Sequence, residues 1–157
     1  MIVLHATAGS SLSGAIQALR QRELSYHYLI EKSGQITKAV NYGREAFHAG
    51  NSFGPEEELD GITKRQIFKR GVGWIFAAGT SVNAYSIGIS FVNLNDGKDP
   101  YTAAQIDACR ELIATLKAAL PLKWLTTHFA VSPGRKSDPK SFRCATVANG
   151  LKMWGCK

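Results

Sequence analysis

Tyr85-Ser86-Ile87-Gly88-Ile89-Ser90-Phe91-Val92 alternates large apolar residues with small ones. A period of two marks a strand whose successive side chains point to opposite faces. Tyr85, Ile87, Ile89 and Phe91 then share a face that needs an apolar layer. Ser86, Gly88 and Ser90 make the other face small and polar, with room for something to lie against it. Downstream, Thr102 to Leu120 reads as the strongest helix, with Ile106, Cys109, Leu112, Ile113, Leu116 and Leu120 at helical spacing. Thr102 with Gln105 matches a capping box, and Pro121 stops the helix. Lys123 to Phe129 reads as the next strand, and a last helix is predicted from Pro139 to about Met153. Upstream, residues 2–5 read as a strand and Ser11 to Arg22 as a helix with Leu12, Ile16 and Leu19 on one stripe. Tyr26 to Glu31 is a strand, Ser33-Gly34 a turn, and Gln35 to Val40 its hairpin partner. Strands alternating with helices predict a mixed α/β domain.

The 157 residues fit one domain, 1–157, able to bury a sizeable core. Residues 51–80 show no clear periodicity: a Gly- and Glu-rich stretch precedes a basic and then an apolar one. A segment of this kind in a compact domain is a lid or binding loop. No apolar run reaches the roughly 18 residues of a membrane span. No basic start followed by a long apolar stretch is visible, so a cytoplasmic location is expected, with release by another factor if the target lies outside. Net charge is +7. Such a surface suits a polyanion such as nucleic acid, anionic lipid or bacterial wall, or simply keeps the protein soluble. The densest basic cluster, Lys64 to Arg70, also reads as a solvated helix face. Three cysteines, Cys109, Cys144 and Cys156, with no CxxC pair, read as reduced thiols, with Cys109 in the core and Cys156 on an exposed tail.

The chemistry-bearing residues are sparse. His5 ends the apolar run Ile2-Val3-Leu4, and His128 lies in the run Trp124 to Phe129. Asp138 follows the turn Ser132-Pro133-Gly134-Arg135-Lys136-Ser137. Two imidazoles and a carboxylate would leave a tetrahedral zinc ion one open position, as catalytic sites do. Each histidine alone reads equally as a hydrogen-bonded core group. Asp138-Pro139 before a helix reads equally as an N-cap with proline at the first helical position. The short zinc signature HExxH is absent.

An ordered series of motifs adds to this reading. It runs Val3-Leu4-His5-Ala6-Thr7-Ala8-Gly9, Tyr26-His27-Tyr28-Leu29-Ile30, His48-Ala49-Gly50-Asn51-Ser52, Tyr85 to Phe91, and His128 to Pro139. The series resembles the zinc-dependent N-acetylmuramoyl-L-alanine amidase family over residues 2 to about 145. That family includes amidase-type phage lysins, cytosolic muropeptide-recycling amidases and peptidoglycan-recognition proteins. The resemblance implies a central mixed β-sheet flanked by helices and one catalytic zinc ion on His5, His128 and Asp138. It also implies a catalytic Tyr26 near the metal, Lys136 placed to stabilise a tetrahedral intermediate, and His48 at a groove position. Ser90 stands where some cytosolic members carry a glutamate base, and serine cannot replace it. Residues 51–80 exceed the usual link between motifs and are expected to shape the groove. Arg44, Arg65 and Arg70 are candidates for binding the acidic stem peptide. His27, pointing away from Tyr26 on a strand, is not expected to be a ligand.

The leading expectation is therefore a monomeric enzyme cutting the amide between N-acetylmuramic acid and L-alanine of peptidoglycan. Basicity, the compact chain and Ser90 favour an endolysin over a recycling amidase acting on small muropeptides. A non-catalytic peptidoglycan-binding module is the alternative of another class, and the filled ligand positions argue against it. No nucleic-acid motif supports a nucleic-acid partner.

Overall fold

The computed structural model describes residues 1–52, 54, 67–69, 74–76 and 82–156. Strand β1 (Ile2–Ala6), every residue of it buried, runs through the middle of the sheet. It pairs in parallel with β6 (Ile87–Phe91) on one side and β7 (Trp124–Thr127) on the other. Beyond β6 lies β2 (Tyr28–Ile30), parallel to it, and then β3 (Ile36–Lys38), antiparallel to β2. Beyond β7 lies β8 (Lys152–Met153), also parallel. The result is a six-stranded mixed sheet in the order β3-β2-β6-β1-β7-β8. A separate antiparallel pair, β4 (Ile67–Lys69) and β5 (Trp74–Phe76), falls within residues 51–80. The rest of that segment's predicted groove-shaping role lies mostly outside the described residues, as do Arg65 and Arg70.

Alternation along β1 and β6 sends Ile2, Leu4, Ile87, Ile89 and Phe91 to one face. There they form one buried cluster with Cys109, Leu112, Ile113 and Leu116 of helix α2 (Ala103–Ala119). The predicted capping box is present: Gln105 N donates to Thr102 Oγ1 at 3.1 Å, and Thr102 N to Gln105 Oε1 at 3.2 Å. The buried Gln105 amide also donates to the Ile30 and Val92 carbonyls, both at 3.1 Å, which pins the helix to the strand ends. Val3 packs on the opposite face with Met1, Ala49, Val82 and Val131. Helix α1 (Leu12–Gln21) starts where the Ser11 hydroxyl accepts from Gly14 N at 3.2 Å. Among the described residues no helix is long and apolar enough to cross a membrane.

Four expectations are corrected. The strand expected from Tyr85 starts at Ile87; Tyr85 ends a 3-10 turn (Val82–Tyr85) and packs on the opposite face, against the cluster of Met1 and Val3. The strand expected through Phe129 stops at Thr127, whose hydroxyl accepts from Ala130 N at 3.2 Å and caps a short helix, α3 (His128–Val131). His128 therefore sits on the first turn of a helix. The final helix is replaced by a 3-10 turn (Cys144–Thr146) and strand β8. Positive φ at Ser141, Asn149 and Gly150 breaks the helical path there. Cys144 and Cys156 form a disulfide, so only Cys109 is a free thiol, and it is buried as expected. The turn of β8 back alongside β7 brings the two sulfurs together.

Candidate metal centre

His5 lies near the carboxyl end of β1, and His128 directly follows β7, the next parallel strand. The crevice outside the carboxyl ends of parallel strands is where α/β sheets place ligands. Asp138 reaches this crevice through the 128–138 loop. Phe129 N donates to the Asp138 carbonyl at 2.8 Å, and Lys136 N to the Ser132 carbonyl at 3.0 Å, with Gly134 at φ +77. No helix begins at Pro139, so Asp138 is not an N-cap. Its carboxylate is turned toward the two histidines instead.

One donor atom from each of His5, His128 and Asp138 lies within 4.8 Å of the others, the one such group among the described residues. His128 Nδ1 lies 3.1 Å from both carboxylate oxygens, and His5 Nδ1 lies 3.3 Å from Oδ2. All three residues are buried, His5 completely. His5 Nδ1 finds no partner with hydrogen-bond geometry among the described residues. A buried polar atom without a partner is costly. A metal ion bound by its lone pair would remove that cost. Two imidazole nitrogens and a carboxylate oxygen suit zinc, with one position left for chemistry.

Burial, and next the neighbouring His128, lowers the pKa of His5 from 6.5 to about 4, so its ring is neutral at pH 7. His48 is lowered as well, by burial first and then by the other imidazoles. Burial pushes the Asp138 carboxyl up, but its contacts with His128 and His5 outweigh that and hold it below the ordinary carboxylate range. A neutral His5 ring beside an ionised carboxylate matches the protonation states a divalent cation requires.

Tyr26 stands just before β2, and its ring lies 4.9 Å from that of His5. Burial, then the charge of Asp138, raises its phenol to about 12, so it stays a hydrogen-bond donor at neutral pH. Tyr26, Lys136, His48, His128 and Asp138 line one cleft of about 250 Å³, bordered by Leu19 of α1, Leu24, Phe47 and Arg135. The structure thus brings His5, Tyr26, His48, His128, Lys136 and Asp138 together. Ser90 is fully buried beside Tyr26, paired in register with His5, and not on the cleft wall. Arg44 is elsewhere: it borders a separate pocket with Tyr42 and Asn83, and its carbonyl faces His27 Nε2 at 3.0 Å. His27 Nδ1 accepts from Gly88 N at 3.0 Å, a structural bridge as expected of a non-ligand.

Sequence reasoning gave no role to Arg135, Asn83 or Ser86. Arg135 donates to the Ala49 carbonyl at 2.7 Å and the Asn51 carbonyl at 3.0 Å, tying the 49–51 segment to the Asp138 loop. Its position inside the Ser132–Pro139 run was the available signal. Buried Asn83 accepts from His48 N at 3.1 Å and Ala49 N at 2.7 Å, and nothing local in the sequence announces it.

Known proteins are similar to this chain in sequence or in fold. The 1,6-anhydro-N-acetylmuramyl-L-alanine amidase AmpD of Haemophilus influenzae is 29% identical over 125 residues, covering 78% of this chain and 55% of the relative. The N-acetylmuramyl-L-alanine amidase AmiD from E. coli, solved with anhydro-N-acetylmuramic acid-L-Ala-D-gamma-Glu-L-Lys, superposes with TM-score 0.72 at 23% identity. That match covers 98% of this chain and 58% of AmiD. An endolysin of a Thermus scotoductus bacteriophage superposes with TM-score 0.60 at 21% identity, covering 97% of this chain and 84% of the endolysin. This chain therefore spans little more than half the length of AmpD and of AmiD. Residues 1–141, the span that holds every strand of the sheet but β8 and the whole His-His-Asp cluster, match the family described as N-acetylmuramoyl-L-alanine amidase, and the chain belongs to that family.

Proposed function

We propose that the protein is a zinc-dependent hydrolase that cleaves the amide between N-acetylmuramic acid and the first L-alanine of peptidoglycan. The observation that carries this reading is the convergence of His5, His128 and Asp138 beside a cleft that His128 and Asp138 line together with Tyr26 and Lys136. Family membership supports the reaction class. Zinc bound there would supply Lewis acidity toward the scissile carbonyl and toward water. The neutral Tyr26 phenol donates a hydrogen bond to the oxygen that gains charge, or orients the attacking water. Lys136 supplies positive charge to the tetrahedral intermediate, an interaction stronger in the transition state than in the ground state. Asp138 stays ionised and cannot act as the acid. Ser90, buried and lacking a basic group, leaves proton transfer to the cleft residues.

The setting we favour is a phage or prophage endolysin that degrades intact bacterial wall. Net charge +7 attracts an anionic envelope, and Ser90 stands where a base would be expected in a recycling enzyme. Mass spectrometry of products released from purified sacculi tests both points. Stem peptides with a free L-alanine N-terminus, lost on chelation and restored by zinc, are expected. Release from soluble muropeptides alone would move the protein to the recycling class. Binding to sacculi without any cleavage would make it a recognition module.

A further inference from the structure

The zinc ligand His5 is held by a chain of hydrogen bonds whose direction is fixed from its far end. The Ser86 hydroxyl lies 2.5 Å from the Val82 carbonyl. A carbonyl only accepts, so the hydroxyl proton is committed to it. The hydroxyl oxygen is then the acceptor for His48 Nε2, 3.2 Å away, and that nitrogen carries the ring's proton. A neutral imidazole has one N–H. His48 Nδ1 is therefore a bare lone pair, and it lies 2.9 Å from His5 Nε2. His5 must donate there, which leaves its own Nδ1 unprotonated and facing Asp138.

We infer that His48, oriented by Ser86, is a positioning residue that sets the tautomer of His5 and aims its Nδ1 lone pair into the metal site. The inference rests on the zinc reading of His5, His128 and Asp138. It differs from a groove role for His48, whose two ring nitrogens are both engaged inside the protein. The neighbouring residue does the same for the other ligand: His128 Nε2 donates to the Ala49 carbonyl at 3.2 Å, leaving His128 Nδ1 free. One dipeptide, His48-Ala49, thus orients both imidazole ligands, and Asn83 fixes its backbone through two hydrogen bonds. Strand β6 makes room for this. A Cβ on Gly88 would lie 2.6 Å from His48 Cγ, so only glycine lets the ring pack there. The small polar face of β6 accommodates a histidine of the same chain.

Partners of metal ligands of this kind are worth roughly 10- to 100-fold in metal affinity. The test combines ring nitrogen-15 spectra of the full-length, zinc-loaded protein with zinc affinity measured by chelator competition. Protons on Nε2 of His5, His48 and His128 are expected. His48→Phe, which keeps a ring beside Gly88 but no nitrogen, should weaken zinc binding roughly 10- to 100-fold. His48→Asn, with an acceptor oxygen, should recover part of the loss, which a purely space-filling role does not predict. A proton on His48 Nδ1, or zinc affinity within about twofold of the parent in folded His48→Phe, would overturn the inference. Should His48→Phe not fold, Ser86→Ala decides: weaker zinc binding supports the relay and unchanged binding rejects it. Failure of the parent protein to bind zinc would instead remove the site reading, while the ring tautomers of the zinc-free protein would still judge the relay.

Discussion

The two faces of the central sheet obey different rules. On the α2 side, Ile2, Leu4, Ile87, Ile89 and Phe91 meet Cys109, Leu112, Ile113 and Leu116 in an apolar layer. What matters there is volume and close packing, and many residue sets would satisfy it. On the other face the same two strands carry His5, Gly88 and Ser90, and the dipeptide His48-Ala49 lies over them. There the rings of His5 and His48 and the Ser86 hydroxyl have required directions, set by polar neighbours at 2.5–3.3 Å. The lesson is that stability and chemistry are drawn from opposite sides of the same backbone. A substitution on the α2 side should leave zinc binding and turnover nearly untouched.

Substitutions of graded size can break or sharpen that contrast. The largest effect is expected from Asp138→Ala, which should take bound zinc from one ion per chain to none and abolish amide cleavage. Metal content and product release measured together check it, and retained zinc with retained activity would show that the carboxylate is not a ligand. Next come Tyr26→Phe and Lys136→Ala. Each should keep the metal and lower kcat by roughly 100- to 1,000-fold, because only a transition-state contact is lost. Turnover close to the parent's in both would reject their assignments.

A third effect comes from pH and needs no mutation. His5 has a folded pKa of about 4 against an ordinary 6.5. The unfolded chain therefore binds its proton first as pH falls. The associated stability is full above pH 6.5 and is lost as pH falls toward 4, on the order of 3 kcal/mol for His5 alone. His27 and His48, also lowered, act in the same direction. Urea unfolding of the zinc-free protein at pH 7 and pH 4.5 should show this fall, and equal midpoints would contradict it. Smaller again is Gly88→Ala, where the added methyl meets the His48 ring. A cost of roughly 1–3 kcal/mol is expected, together with weaker zinc binding. Its counterpart one position on, Ile89→Val, should cost about 1 kcal/mol with zinc affinity and kcat unchanged. A change in zinc affinity from Ile89→Val would break the separation of the two faces.

Legibility in the sequence followed the same division. The α2 layer was readable because periodicity encodes it: the alternation over 87–91 and the helical spacing in 102–120, with its Thr102–Gln105 cap, appear as predicted, whereas Tyr85 falls outside the strand and packs on the opposite face. Motif order singled out His5, His128 and Asp138, which the fold brings together. Spacing alone left Asp138 as either ligand or cap, because Asp-Pro has the same local form in both. The relay was not readable. It joins residues 5, 48, 82 and 86, and hydrogen bonds between distant segments leave no periodic trace. The C-terminal segment misled for a related reason. Pro139 looks like a helix start, but the disulfide between Cys144 and Cys156 and the pairing of β8 with β7 are long-range facts that override local preference.

Anomalous diffraction at the zinc edge, on crystals of the zinc-loaded protein, tests the central claim most directly. The account predicts one peak at about 2.0–2.2 Å from Nδ1 of His5, Nδ1 of His128 and a carboxylate oxygen of Asp138. A peak bound through Nε2 of either histidine, a peak elsewhere on the chain, or no peak at full zinc loading would contradict it.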